Sequence, residues 1–229
     1  MLKKNKFIVI YSLPRTGTHL SLNTITKNFN LGSDYKVINL DKIHDITDLF
    51  ITSDKLIILK THNYNNLLSL LEIQKDNVYI ITPNTPYNQG CISYLNYMSV
   101  FCKDIENKSK QLEIVNERYI KFIQFHKNYN YLDNLYNTIK IHRKSYENYE
   151  SYIKIIYLLS KFLDLKILDK DNIIFYDDKK FLIRKSREEL GSILVLKNYD
   201  LKIYDETLAN INKLNEKDNI QILNNLGIH

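Results

Sequence analysis

The stretch from Phe7 to Leu20 constrains the fold more than any other part of the chain. Residues Phe7–Tyr11 form a short apolar run of β-branched and aromatic residues, which is typical of a buried strand. A short turn with Pro14, Arg15, Thr16, Gly17 and Thr18 follows, and a helical pattern begins directly after it. Because a strand that enters a helix through a tight loop points backbone N–H groups at one place, this stretch predicts a phosphate site.

The loop carries the residue types that an anion site requires. Gly17 is one of only five glycines in the chain, and glycine lets the backbone approach an anion without steric cost. Arg15 adds a permanent positive charge, while Thr16 and Thr18 add hydroxyl donors. The alternative is an ordinary strand-to-helix turn in which Thr16 or Thr18 serves only as the helix N-cap.

The loop departs from the two common nucleotide-binding patterns. The Walker pattern requires glycine, lysine, and serine or threonine at positions where this chain has Ser12, Thr18 and His19. The pattern G-x-G-x-x-G fails because the loop has a single glycine. We therefore expect a phosphate site that works without the Walker lysine and without the usual magnesium ligand.

Further short apolar runs indicate a parallel sheet. They are Val37–Leu40, Leu56–Leu59, Val78–Ile81 and Ile173–Tyr176. Helical spacing separates the first runs, and continuous apolar strands between helices are typical of a parallel sheet covered on both faces. The sequence thus predicts an α/β fold with a parallel β-sheet flanked by helices. The stretch 93–168 is expected to be mainly helical.

Length and composition bound the class of protein. The 229 residues predict a single domain over 1–229, although the tail after about residue 195 has no clear pattern beyond short helices. The net charge of +6 suits an anionic ligand, but without a basic stripe we expect no nucleic-acid partner. Two cysteines fit a reducing compartment, and no apolar run approaches about 18 residues. We therefore expect a soluble cytoplasmic protein with no membrane partner.

A second polar group follows the run Leu56–Leu59. Lys60 and His62 lie where that strand is expected to end, and open parallel sheets bind ligands at the carboxyl ends of strands. Because side chains alternate along an extended backbone, both should face the pocket at the loop. A histidine that accepts a proton beside a cation suits transfer of an anionic group. The alternative is a structural histidine with Lys60 in solvent.

Taken together, the two polar groups resemble those of one enzyme family. Pro14–Leu20 resembles the 5′-phosphosulfate loop of sulfotransferases, and Leu59–His62 resembles the lysine-threonine-histidine segment of cytosolic sulfotransferases. The resemblance implies that His62 is the catalytic base, that Lys60 assists the leaving group, and that the cofactor is PAPS (3′-phosphoadenosine 5′-phosphosulfate). It also implies a set of cofactor-binding residues in the loop, namely Arg15, Thr16, Gly17, Thr18 and His19.

Two weaker matches extend the resemblance over roughly residues 5–195. The segment after Val78–Ile81 is similar to the one that holds the cofactor's 3′-phosphate, and Ser93 takes the role of the serine that opens a helix there. Ile173–Asp178 resembles the family's strand ending in tyrosine-glutamate-aspartate, so Tyr176 corresponds to the tyrosine near the cofactor.

The chain departs from the family pattern at the 3′-phosphate. Thr82–Pro86 lacks the arginine that normally follows this strand, and losing a bidentate arginine weakens phosphate recognition. The family's late arginine-lysine-glycine loop is not recognisable either. We expect that Arg143, Arg184 or Arg187 replaces the arginine, or that the cofactor preference has changed.

The resemblance implies a metal-free sulfotransferase that moves a sulfuryl group from PAPS to a hydroxyl or amine of a small-molecule, glycan or peptide acceptor. Its nucleotide product would be adenosine 3′,5′-bisphosphate (PAP). One alternative is a sulfotransferase-like nucleotide-binding protein without activity, which the missing arginine favours and the pair Lys60 and His62 disfavours. The other is a divergent P-loop kinase for a small hydroxyl substrate. Thr18 at the Walker lysine position disfavours the kinase, although Lys60 could substitute for that lysine.

Overall fold

The computed structural model describes residues 6–33, 35–49, 56–74, 76–99, 101–175 and 201–225. The chain divides into two compact units. The first comprises Met1–Asn84 and Lys127–Ile183, and the second comprises Thr85–His126 and Arg184–His229. No helix among the described residues combines the length and the apolar character needed to cross a membrane.

The first unit is built on a five-stranded parallel sheet. Its strands are β1 (Lys6–Tyr11), β2 (Lys36–Asn39), β3 (Leu56–Thr61), β4 (Val78–Asn84) and β5 (Asn137–His142). They lie in the order β2-β3-β1-β4-β5, and every neighbouring pair is parallel. The central strand β1 is completely buried from Phe7 to Ile10, which explains its unbroken apolar run. The predicted α/β fold is confirmed.

Helices of the first unit cover the sheet. They are α1 (Thr18–Asn28), α2 (Tyr64–Ile73) and α5 (Tyr149–Leu163). Ile8 of β1 and Ile58 of β3 pack in one buried cluster with Ile25 of α1 and Leu159 of α5. Because all four are at most 1% exposed, this cluster anchors α1, and with it the loop that precedes α1, to the centre of the sheet.

The described residues of the second unit are mainly helical. It contains α3 (Tyr87–Met98), a short 3₁₀ helix (Lys103–Glu106), the part of α4 (Lys108–Leu135) that ends at His126, and α6 (Asp205–Asn225). The Tyr87 hydroxyl donates to the Val115 carbonyl (2.7 Å), which ties α3 to α4. Gln111 binds the Lys202 carbonyl (3.0 Å) and the Tyr204 N–H (3.3 Å), which ties α4 to the start of α6. The described part of the tail is thus one long helix rather than several short ones.

The prediction for the last strand of the sheet was wrong. Residues 173–175 contain no strand, and Tyr176 lies outside the described residues. The Asn28 side chain accepts the Ile174 N–H (2.8 Å) and donates to its carbonyl (3.2 Å), so it satisfies peptide groups that a strand neighbour would otherwise bind. The fifth strand is instead β5, inside the stretch expected to be helical. It alternates polar and apolar residues, as half-buried edge strands do.

Candidate active site

Strands β1 and β3 end side by side. Tyr11 and Thr61 are paired in register, and the Ser12 N–H donates to the Thr61 carbonyl (3.2 Å) just beyond that pair. The next residues along the two strands are therefore brought together at one edge of the sheet. The loop after β1 therefore lies at the same edge of the sheet as His62, the residue after β3, as the sequence predicts.

The loop after β1 begins with a tight turn. The Thr16 N–H donates to the Leu13 carbonyl (3.3 Å), with Pro14 second in the turn and Arg15 third at φ +69°. Proline followed by a positive φ is the arrangement of a type II turn. The buried Thr16 hydroxyl donates to the same carbonyl (2.8 Å). Both donors of Thr16 thus shape the turn, and Arg15 holds a conformation that side-chain-bearing residues rarely adopt.

Helix α1 begins at the end of the loop, with Thr18 as its first residue. Gly17 is the N-cap at φ +115°, and its carbonyl accepts the first hydrogen bond of the helix. The N–H groups of Thr18, His19 and Leu20 therefore have no acceptor within the helix. The first turn holds no acidic residue. A Cβ at Gly17 would lie 3.4 Å from Pro83 Cβ, so the helix starts close against the end of β4.

Two buried hydroxyl groups connect the start and the end of the loop. Ser12 Oγ lies 2.5 Å from Thr18 Oγ1, and both side chains are at most 4% exposed. One hydroxyl donates to the other, so one proton of the pair is left for a further acceptor. Thr18 is a predicted residue of the site, whereas Ser12 stands out in the sequence only as a departure from the Walker pattern.

The imidazole of His62 lies against the end of β1. Its Nδ1 is 2.6 Å from the Ser12 carbonyl oxygen, and its backbone N–H donates to Asp41 Oδ2 (2.9 Å). Because a carbonyl oxygen only accepts hydrogen bonds, Nδ1 carries the proton. A neutral imidazole has a single N–H, so Nε2 is the nitrogen with the lone pair. The structure therefore defines which nitrogen of His62 can act as a base.

Lys60 lies two residues before His62 and inside the sheet. It is half-buried and is paired in register with Ile10 of β1 and with Asn39 of β2. Its backbone is consequently held on both sides, whereas His62 lies just past the last residue of β3. The structure brings the predicted lysine and histidine to the same strand end.

Two tyrosines stand at these strand ends. The rings of Tyr11, the last residue of β1, and Tyr64, the first residue of α2, lie 6.1 Å apart. Burial raises the pKa of Tyr11 to about 12, although a hydrogen bond with Asn128 opposes the shift. Burial also raises the pKa of Tyr64, and Tyr131 and Tyr136 add to the effect. Both phenols are therefore neutral at physiological pH.

Ser93 lies in the second unit and does not open a helix. Helix α3 begins at Tyr87, because Pro86 occupies its N-cap, and Ser93 is six residues further along. The next residue, Tyr94, has the Arg118 guanidinium over its ring at 4.7 Å. Arg118 is 3% exposed, and burial lowers the pKa of its guanidinium. No sequence motif marks Arg118 on α4, so it could not be predicted from the sequence.

Of the other residues predicted near the cofactor, Arg143 alone lies among the described residues. Arg143 lies on the first unit, where its Nε is 3.6 Å from Glu147 Oε1 in a partly exposed ion pair. Tyr176, Arg184 and Arg187 lie outside the described residues. Among the described residues, no group of three or more His, Cys, Asp or Glu side chains is placed to hold a metal ion.

Comparison with known proteins supports the class of fold. Neither a protein-family model nor a curated protein matches this sequence. The crystal structure of mouse sulfotransferase SULT7A1 complexed with PAP matches with a TM-score of 0.58 and 13% sequence identity. The match covers 93% of this chain and 84% of the mouse chain. At that identity the likeness concerns the fold, and the chain has a P-loop sulfotransferase-like α/β fold.

Proposed function

We propose that the protein is a sulfotransferase that moves a sulfuryl group from PAPS to a hydroxyl or amine. The observation that carries the proposal is the double role of Ser12. Its carbonyl accepts Nδ1–H of His62, and its hydroxyl contacts Thr18 on the first turn of α1. A candidate base and a candidate phosphate loop are thus joined through one residue, on a sulfotransferase-like fold.

The loop has the donors that a 5′-phosphosulfate group requires. Gly17 and the first N–H groups of α1 present the positive end of the helix, with no acidic side chain in the first turn. Arg15 adds a permanent charge, and the pair of Ser12 and Thr18 has one hydroxyl proton left to donate. We assign Thr16 to shaping the turn, since both of its donors are used there. PAPS bound in this loop would supply the sulfuryl group.

His62 and Lys60 provide the chemistry of transfer. His62 Nε2 takes the proton of the acceptor hydroxyl or amine as that group attacks in line. The resulting imidazolium keeps Nδ1–H on the Ser12 carbonyl, so the ring does not have to turn during the step. Lys60 and Arg15 stabilise the negative charge that develops on the departing phosphate oxygen.

A nucleotide-binding protein without transfer activity is the second candidate. The segment after β4 favours it, because Thr82–Pro86 has no basic residue and the buried Thr82 hydroxyl is used by the Ile139 carbonyl (3.2 Å). A weakened 3′-phosphate site follows from this arrangement. The contribution of Ser93 to that site remains a prediction.

Thermal stabilisation by nucleotides tests the proposal. We expect PAP to raise the unfolding temperature without magnesium, since a ligand at 100 times its Kd stabilises by about 2.7 kcal/mol. Arg15→Ala should weaken PAP binding by about 10-fold or more, the loss expected for a hydrogen bond between charged groups. Lys154→Ala removes a positive charge from the exposed face of α5 and should bind PAP as the wild type does. Stabilisation by ATP only in the presence of magnesium would instead support the kinase.

A further inference from the structure

Asp41 accepts hydrogen bonds from residues at the end of β3. It lies in a 3₁₀ helix (Leu40–Lys42) directly after β2, and Asn39 at the N-cap accepts its N–H (3.2 Å). Asp41 Oδ1 accepts the Thr61 hydroxyl proton, and Oδ2 accepts the His62 N–H at 2.9 Å. Both carboxylate oxygens are thus used on two consecutive residues of the lysine-threonine-histidine segment.

The hydrogen bonds to Asp41 lie at the point where the hydrogen-bond ladder between β1 and β3 ends. The ladder between β1 and β3 ends at the pair of Tyr11 and Thr61, and the last bond across it joins Ser12 N–H to the Thr61 carbonyl. The peptide N–H of His62 lies beyond this ladder and binds Asp41 instead. The backbone that carries the imidazole is therefore set by Asp41 on one side and by Ser12 on the other.

We propose that Asp41 is a positioning residue for His62, holding the backbone so that Nδ1–H meets the Ser12 carbonyl and Nε2 is left as the base. The catalytic role of Asp41 rests on the proposed function. The effect of Asp41 on the tautomer of His62 does not depend on that function. An imidazole that loses this orientation also loses the hydrogen bond that keeps the proton on Nδ1. Loss of Asp41 should then allow both neutral tautomers.

Nitrogen NMR on protein with labelled histidine measures the tautomer directly. The chain has six histidines, and the signals missing in His62→Ala identify those of His62. At a pH where the ring is neutral, wild-type protein should show the proton on Nδ1 of His62, and Asp41→Ala should show a mixture of tautomers. Asp41→Asn should fall between them, since an amide oxygen replaces one acceptor while the amide NH₂ replaces the other.

Asp45→Ala is the matched control. Asp45 lies in the same connection, four residues away, and its carboxylate binds the Thr47 N–H (2.9 Å) and hydroxyl (2.6 Å). This variant should retain the wild-type tautomer of His62. An unchanged tautomer in Asp41→Ala, or an equal change in Asp45→Ala, would overturn the proposal. Should Asp41→Ala not fold, the same comparison applies to Asp41→Asn.

Turnover provides a second readout that a merely structural role would not reproduce. Since misplacing a catalytic group by about 1 Å can cost about 100-fold, Asp41→Ala should lower kcat by that order while PAP affinity stays within about twofold. A parallel loss of PAP affinity and kcat would show general damage and overturn the positioning role. If the wild type transfers no sulfuryl group, the proposed function fails, while the NMR comparison still decides the role of Asp41.

Discussion

Replacing Gly17 with alanine tests whether the backbone of the loop, rather than its side chains, forms the anion site. Gly17 has φ +115° and ψ 16°, and a non-glycine residue in such a conformation costs about 1–3 kcal/mol. Space is not the obstacle, because the new Cβ would stand 3.4 Å from Pro83 Cβ, close to ordinary van der Waals contact. For a chain of this size, each kcal/mol lost from the free energy of unfolding lowers the unfolding temperature by about 2–4 °C. The unfolding temperature of Gly17→Ala should therefore fall by about 2–12 °C.

Gly32→Ala supplies the control for this strain. Gly32 also has a positive φ, +77°, but it lies in the exposed connection before β2, and a Cβ there would meet no atom within 4 Å. Its substitution should lower the unfolding temperature through the same backbone effect. It should leave the affinity for PAP, measured by calorimetry, unchanged.

The two variants should differ in binding. Strain at Gly17 is relieved by turning the peptide groups that begin α1, so PAP affinity should fall at least about 10-fold, equivalent to about 1.4 kcal/mol. The reasoning is refuted if Gly17→Ala is destabilised as Gly32→Ala is but binds PAP with wild-type affinity. It is equally refuted if Gly17→Ala loses no stability, because the left-handed conformation would then not be required.

Four further predictions concern buried side chains within the individual units. Tyr152→Phe, which removes the hydroxyl that donates to the Ile174 carbonyl (3.1 Å), should lower the free energy of unfolding by about 1–3 kcal/mol in denaturant titration. Leu159→Ala should cost about 2–5 kcal/mol in the same assay, because the side chain is fully buried. Burial raises the pKa of Cys91 to about 11, so alkylation at neutral pH should label Cys102 and spare Cys91, as mass spectrometry of the peptides can show. The neutral Cys91 thiol stabilises the fold below its ordinary pKa of 9.0, and this contribution should be lost as the pH rises through about 11.

The sequence predicted the central strands because burial on both faces removes the polar residues that would interrupt them. Phe7–Tyr11 and Val78–Ile81 are such runs, and both are strands of the sheet. Strand β5 was missed because it is an edge strand in which Ile139 and Ile141 alternate with polar residues. Residues 173–175 have the composition of a buried strand, but the side chain of Asn28 takes the place of a strand neighbour.

Some residues of the candidate site could be predicted from local sequence patterns, and others could not. Gly17 and His62 could be placed from local patterns, because each follows directly after a buried strand. Ser12 and Asp41 could not, since their contacts to His62 span 50 and 21 residues of sequence and depend on the register of three strands. A carboxylate that binds backbone and a carbonyl that orients a ring leave no sequence motif of their own.

Transfer of radiolabelled sulfate from PAPS is the measurement that tests the central claim most directly. Wild-type protein and His44→Ala, which removes an exposed histidine of the first unit, should label a hydroxyl or amine in a panel of acceptors. His62→Ala should bind PAP as the wild type does and transfer no label. Transfer by His62→Ala would contradict the role of His62 as the base. Binding of PAP by the wild type without transfer to any acceptor would contradict the proposed enzyme and favour a nucleotide-binding protein.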